Sequence, residues 1–328
     1  MSDAATPSHA GRVHGINHVG LSVGDLAVAR TFWCDALGFV EFGEFSWPAG
    51  TTPADDALGL RNSAAHVVLL RAGNIHLELF EFVEPTPTPQ ARTSVTDPFG
   101  RNRAGIAYLA IDSRDVGATV ARLTAHDVNV AAGSDEGWLW VKDPDGNAVA
   151  LLSGPTRSGR QVDAHPPRTE ASAPPTPLRY DDVAGVDHIG VGLLGSPETV
   201  HHNVRGWHTI TGSTDQPASD PPWVVPGSNV DLVLSGTSAR GTDPASRRAC
   251  DLGYNHLCLD VSGIESLRTG LAEDGTRWNH PITESSGGIA AVVYGRTPDG
   301  VLLELLENRT PETWMWCGHL AVQEPVSR

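Results

Sequence analysis

Residues 15–33 read GINHVGLSVGDLAVARTFW, and the layout returns three times: GIAYLAIDSRDVGATVARL at 105–123, GVDHIGVGLLGSPETVHHNV at 185–204 and GYNHLCLDVSGIESLRTGL at 253–271. In the first copy Val19, Leu21 and Val23 alternate with His18, Gly20 and Ser22. Successive strand side chains point to opposite faces, so the aliphatics share one face and His18 takes the other. Tyr108, His188 and His256 hold the same place in the later copies. A helix follows each strand. Asp25 precedes a stripe of Leu26, Ala29, Trp33 and Leu37, with Gly38 as its stop, and Asp115 precedes Val116, Val120 and Leu123. Ser196 and Pro197 open a stripe of Val200, Val204 and Trp207, while Ser262 and Glu265 form a capping-box pattern before Ile264, Leu267 and Leu271. These stripes explain the greasy strand faces, which they cover.

Every repeat closes on another strand: NIHLELFEF from Asn74, GNAVALLSG from Gly146, NVDLVLSG from Asn229 and GVLLELLEN from Gly300. Pro144-Asp145-Gly146 and Pro298-Asp299-Gly300 are matching entry turns. The segment from Gly154 to Leu178 holds six prolines and few large apolar residues, the composition of a linker. The expected fold class is α+β, each repeat a strand and a helix closed by a further strand, with two repeats on each side of the linker. Residues 1–153 form the first pair, 154–180 the Pro-rich linker and 181–328 the second pair.

The whole chain agrees with a globular protein. Its 328 residues are 40% hydrophobic and 19% charged, enough for two cores. A formal net charge of −16 argues against nucleic acid and against an anionic membrane surface. The first residues lack a signal-peptide pattern and no apolar run nears the roughly 20 residues of a spanning helix, so a cytoplasmic protein is expected. Cys34, Cys250, Cys258 and Cys317 show no metal-finger spacing and read as free thiols.

The four copies in register resemble the vicinal oxygen chelate superfamily of glyoxalases, bleomycin-resistance proteins and extradiol dioxygenases. That resemblance implies an α+β fold of four βαβββ modules paired into two open β-barrel-like domains, with a His on the first strand and a Glu on the last strand of each module, around a divalent metal. His18 and Glu78 match in the first module, Tyr108 and Ala150 stand there in the second, His188 and Val233 in the third, and His256 and Glu304 in the fourth. Paired in chain order, the C-terminal half then offers His188, His256 and Glu304, the two-histidine, one-carboxylate set that suits non-haem Fe(II), with Mn²⁺ or Zn²⁺ as substitutes. The layout is similar to two-domain extradiol ring-cleaving dioxygenases, and Tyr294 to Glu304 resembles their signature, in which the Tyr steadies substrate. The expected reaction is ring cleavage of a catechol-like or hydroxylated aromatic with O₂.

The sequence departs from that family where Ser285-Ser286-Gly287 replaces an expected His, and where the acid–base His near the third module's last strand is absent. Asp231, or less directly His280, can stand in for it. His18, His76 and Glu78 form an alternative site within the first module. His201, His202 and His208 read as exposed helix residues, and four of the nine tryptophans, Trp138, Trp140, Trp223 and Trp278, read as barrel-mouth aromatics. Two other functions fit the same pattern: a metal-dependent lyase, isomerase or epimerase, and a non-enzymatic binder of an aromatic drug or metabolite. A homo-oligomer is compatible with either.

Overall fold

The computed structural model describes residues 11–89, 103–132, 138–153, 178–211, 222–225, 229–237 and 244–310. Most of the linker and Cys317 lie outside them. The first module comprises β1 (Arg12–Ser22), α1 (Leu26–Arg30) continued by a π-helical turn at Thr31–Ala36, β2 (Val40–Trp47), α2 (Thr52–Leu58), β3 (Ala64–Arg71) and β4 (His76–Glu84). The second has β5 (Gly105–Ser113), α3 (Val116–Ala125), β6 (Ala131–Ala132), β7 (Leu139–Lys142) and β8 (Ala148–Leu152). The third has β9 (Val183–Leu194), α4 (Pro197–Thr211), β10 (Trp223–Val225) and β11 (Asp231–Thr237). The fourth has β12 (Gly253–Ser262), α5 (Ile264–Glu273), β13 (Arg277–Trp278), β14 (Thr283–Glu284), β15 (Ala290–Arg296) and β16 (Leu302–Asn308). No helix among the described residues is long and apolar enough to cross a membrane.

The expected helix starts hold in three cases. The Asp25 carboxylate accepts from the amides of Ala27 and Val28, the Asp115 carboxylate from Ala118, and the Ser196 hydroxyl from Thr199. The fourth differs. Gly263, at φ 67°, occupies the cap of α5, and its amide donates to the Glu307 carboxylate on β16 in place of Ser262.

In each module the first strand pairs in parallel with the last, β1 with β4, β5 with β8, β9 with β11 and β12 with β16. First strands then join modules antiparallel, and here the structure departs from chain order. β1 joins β12, and β5 joins β9. The first module therefore shares a nine-stranded sheet with the fourth, and the second a seven-stranded sheet with the third. The expected pairs over 1–153 and 181–328 are replaced by an outer pair enclosing an inner one.

Two asparagines at equivalent repeat positions clasp the sheets together. Asn74 donates to the carbonyls of Val186 and Asn229 and accepts from the Val186 amide. Asn229 answers by accepting from the Ile16 amide and donating to the carbonyls of Ile16 and Asn74. These bonds satisfy strand-end groups that would otherwise be buried unpaired. Between the sheets the aliphatic faces form one core, with Val19 and Leu21 of β1, Leu109 of β5, Ile189 of β9 and Leu257 of β12 buried in it beside Trp33 and Trp207. The opposite faces carry the polar positions His18, Glu78, His188, His256 and Glu304.

Candidate metal centre

On the polar face of the larger sheet, β1 and β12 bring His18 and His256 together, their Nε2 atoms 2.9 Å apart and their rings nearly perpendicular. The parallel neighbours β4 and β16 add the carboxylates. Glu304 Oε2 lies 2.9 Å from His18 Nε2 and 3.2 Å from His256 Nε2. Glu78 Oε2 lies 3.5 and 3.6 Å from the same two nitrogens. Donors bonded to one ion at about 2.1 Å stand roughly 3.0–3.4 Å from one another, so this spacing is that of a ligand set. His18, His256 and Glu304 are the tightest group, and Glu78 is a looser fourth.

The outer edges of both imidazoles are held. Asn17 Oδ1 lies 2.9 Å from His18 Nδ1, and Asn255 Oδ1 lies 2.6 Å from His256 Nδ1. An amide oxygen only accepts, so each Nδ1 carries the proton and each Nε2 turns a lone pair inward. Asn255 is steadied in turn by donating to the Ser22 hydroxyl, which donates to the Ala249 carbonyl. Among the described residues these two nitrogens meet only each other and the two carboxylates. The Oε2 atoms of Glu78 and Glu304 are buried without a well-angled hydrogen bond, despite their short contacts to nitrogen. Inward lone pairs on two nitrogens and two carboxylates at this depth are costly unless a cation meets them, so the residues fit a divalent metal.

Charge is divided unequally. Burial pulls the His18 pKa down, but Glu304, then Glu78 and Asp260, reverse this and leave it raised. Burial lowers His256, against the opposing pull of Glu304. Glu304 would be raised by burial, yet His18 and His256 hold it well below the carboxylate range. Burial pushes Glu78 up to about 7, offset in part by His18 and reinforced by Glu304. Glu304 thus holds its charge more firmly than Glu78 does.

Above this cluster the face is apolar and aromatic: Leu60, Phe80, Phe82 and Leu302 are buried, with Phe42, Trp47 and Tyr294 partly so. Tyr294 stands opposite Glu304 in register, its ring 5.5 Å from that of His256. Burial and the Glu304 and Glu78 charges push its phenol pKa well up, so it stays protonated and able to donate.

Of the expected ligands, His256 and Glu304 meet, but His188 lies on β9 in the other sheet, hydrogen-bonded to Tyr108 and Asp187. Its place is taken by His18, with Glu78 beside it. Asp231 pairs in register with His188 and so belongs to the other face as well. His280 is bound to backbone, its Nε2 accepting from the Tyr294 amide. His76 faces Phe42 at 4.9 Å, and burial and the charges of His18 and Arg71 lower its pKa to about 3. His201 and His202 are exposed as expected, whereas His208 is buried. Cys34, Cys250 and Cys258 are buried free thiols. The missed residues had a signal: the first and fourth modules are the two that keep both a His and a Glu.

Comparison with known proteins agrees with this architecture. Residues 15–151 match the model of the Glyoxalase/Bleomycin resistance protein/Dioxygenase superfamily. The uncharacterized protein YaeR of Escherichia coli (strain K12) is 28% identical over 141 residues, 42% of this chain and 93% of its own. Glyoxalase I from Zea mays superposes with a TM-score of 0.56 at 12% identity, covering 90% of this chain and 92% of that one. A putative dioxygenase from Bacillus subtilis subsp. subtilis str. 168 gives 0.58 at 12% identity, with 95% and 92% covered. At such identities the two structures speak for the fold alone. Members of the superfamily bind a divalent metal. The first two modules thus match the glyoxalase, bleomycin-resistance and dioxygenase superfamily in sequence, and nearly the whole chain shares the fold of glyoxalase I and of the putative dioxygenase.

Proposed function

We propose that the chain is a metal-dependent lyase or isomerase that moves a proton at a carbon beside a carbonyl, in a compound carrying two adjacent oxygens, hemithioacetals of 2-oxoaldehydes among them. The observation that carries this reading is the second carboxylate: Glu78 converges on the same two nitrogens as Glu304. The iron oxygenase triad offers three donors and keeps the remaining positions for substrate and O₂. This chain offers four.

A divalent ion held by His18, His256, Glu304 and Glu78 supplies Lewis-acid polarisation of a substrate oxygen. Glu304, the closer carboxylate, remains ionised between the two histidines. Glu78, the looser one, takes the proton from carbon and returns it to the neighbouring position. Tyr294 donates to a substrate oxygen, and the aromatic wall of Phe80, Phe82 and Trp47 keeps water from the reacting carbon.

One observation favours the oxygenase as a second reading, the position of Tyr294 beside Glu304. The two are separated by loading the protein with Zn²⁺ or Fe²⁺ and offering hemithioacetals and catechols in D₂O with an oxygen electrode. The lyase or isomerase reading expects turnover with Zn²⁺, deuterium entering carbon and no O₂ uptake. Turnover of a catechol only with Fe²⁺ and in step with O₂ consumption would replace it with the oxygenase.

A further inference from the structure

The four donors of the metal centre are closed off from solvent: His256 is 0%, His18 2%, Glu304 4% and Glu78 7% exposed. An ion or a substrate reaches them only when something in the apolar layer above them moves. Most of that layer is fixed in the sheet. Phe80 and Phe82 stand on β4, Tyr294 on β15 and Leu302 on β16, each held by ladder hydrogen bonds to its neighbours. Leu58 and Leu60 belong to the same layer but to no strand.

Leu58 is carried by α2 and Leu60 follows it, and the course of this helix is informative. It connects β2 with β3, the last two strands at one end of the larger sheet. It packs against β15, near the other end. Between β3 and β15 lie β4, β1, β12 and β16, the four strands that supply Glu78, His18, His256 and Glu304. The helix therefore bridges the two ends of the sheet across the strands of the metal centre.

Its ties to the first module and to the fourth are unequal. On its own side the Asp55 carboxylate accepts from the amides of Asn62 and Ser63, and the Leu60 amide donates to the Asp55 carbonyl. On the far side, among the described residues, one hydrogen bond runs from α2 to the fourth module: the exposed Asn279 side-chain amide donates to the Ala57 carbonyl at 2.8 Å. Leu58 is the one buried side chain of the helix. An element with so few buried apolar contacts, and with its outer bond in reach of water, opens at a small fraction of the free energy of unfolding.

We propose that α2 is a strap over the metal centre, hinged on the first module, which lifts from β15 to admit the ion and then the substrate. The bond between Asn279 and Ala57 latches it, and Leu58 and Leu60 stop the opening when it is down. This inference rests on the metal centre and not on the reaction assigned to it.

The test follows Zn²⁺ entering and leaving the full metal-free chain, with a chromophoric chelator as competitor. Opening precedes both entry and exit, so a latch bears on the two rates alike and leaves their ratio untouched. Asn279→Ala should speed uptake and release together, by about three- to tenfold, the weight of one hydrogen bond, with the Zn²⁺ affinity unchanged. Asn279→Asp, which keeps the shape but loses the donor, should do the same. Binding of Zn²⁺ with natural rates in both variants would overturn the strap alone, as would weaker affinity with uptake unaltered. Absence of Zn²⁺ binding by the unaltered chain would remove the metal centre and the strap with it.

Discussion

Gly20 faces His256 across the join of β1 and β12, and a Cβ placed on Gly20 would stand 2.1 Å from the imidazole Nδ1. No real Cβ sits so close, and the ring cannot turn aside without losing Asn255. Gly20→Ala should therefore leave the strands paired but displace the imidazole, weakening metal affinity by more than about tenfold, since a misplacement of 1 Å at a working site costs about a hundredfold in rate. Circular dichroism with a competitive metal titration checks both halves; full metal affinity in a folded Gly20→Ala protein would contradict the packing.

The ligand set predicts which histidines matter. Elemental analysis should find about one divalent ion per chain, lost in His18→Ala, His256→Ala and Glu304→Ala and retained in His188→Ala. Loss of the ion in His188→Ala with retention in His18→Ala would move the site to the other sheet.

Asn17 and Asn255 fix which ring nitrogen carries the proton and so which one points inward. Replacing either with Ala should lower metal affinity about 10- to 100-fold, the usual effect of removing the hydrogen bond behind a liganding His. Asn→Asp at either position should keep the orientation and retain most of the affinity.

Asp260 gives a pH dependence. It is 1% exposed, and burial pushes its pKa from 3.8 to about 8, against a weak hydrogen bond from Asn308 and the charge of His18. The folded value is above the unfolded one, so the stability linked to its proton is fully present below about pH 3.8 and is lost as pH rises towards 8. Asp260→Asn cannot ionise. Thermal melts should show the variant gaining on the natural protein as pH rises from about 5 to 9, by at least about 1–2 °C, since the roughly 2–4 °C that 1 kcal/mol produces in 150–250 residues shrinks as the chain lengthens. Parallel pH curves would show that Asp260 stays ionised in the fold.

The modules were legible because each carries its own local signals. Alternation at Val19, Leu21 and Val23, the caps at Asp25 and Asp115, and the Pro-Asp-Gly turns act within a few residues. The partnership between modules was not, because it rests on equivalent edges. Gly20 and Gly190 occupy the same repeat position, and either can accept the large side chain, His256 or Tyr108, that the other receives. Chain order and the nested order satisfy that rule equally. The choice is made by contacts far apart in sequence, among them the clasp of Asn74 with Val186 and Asn229 and the bond from the Tyr254 hydroxyl to the Ala148 carbonyl. Of the expected ligand set, His256 and Glu304 stand together because both belong to one module, whereas His188 stands in the other sheet.

The nested order also sets a timetable for synthesis. His18 leaves the ribosome 238 residues before His256, a gap of roughly 10–50 s at about 5–20 residues per second. Tyr108 and His188 are separated by 80 residues, so the inner sheet can close while the outer one is half made. Throughout that interval β1 carries an open edge, the kind of surface that recruits strands from neighbouring chains. A nascent chain halted before residue 253 would hold a finished inner sheet and a first module with two ligands and no partner, so crowded polysomes are where this protein is most exposed to aggregation.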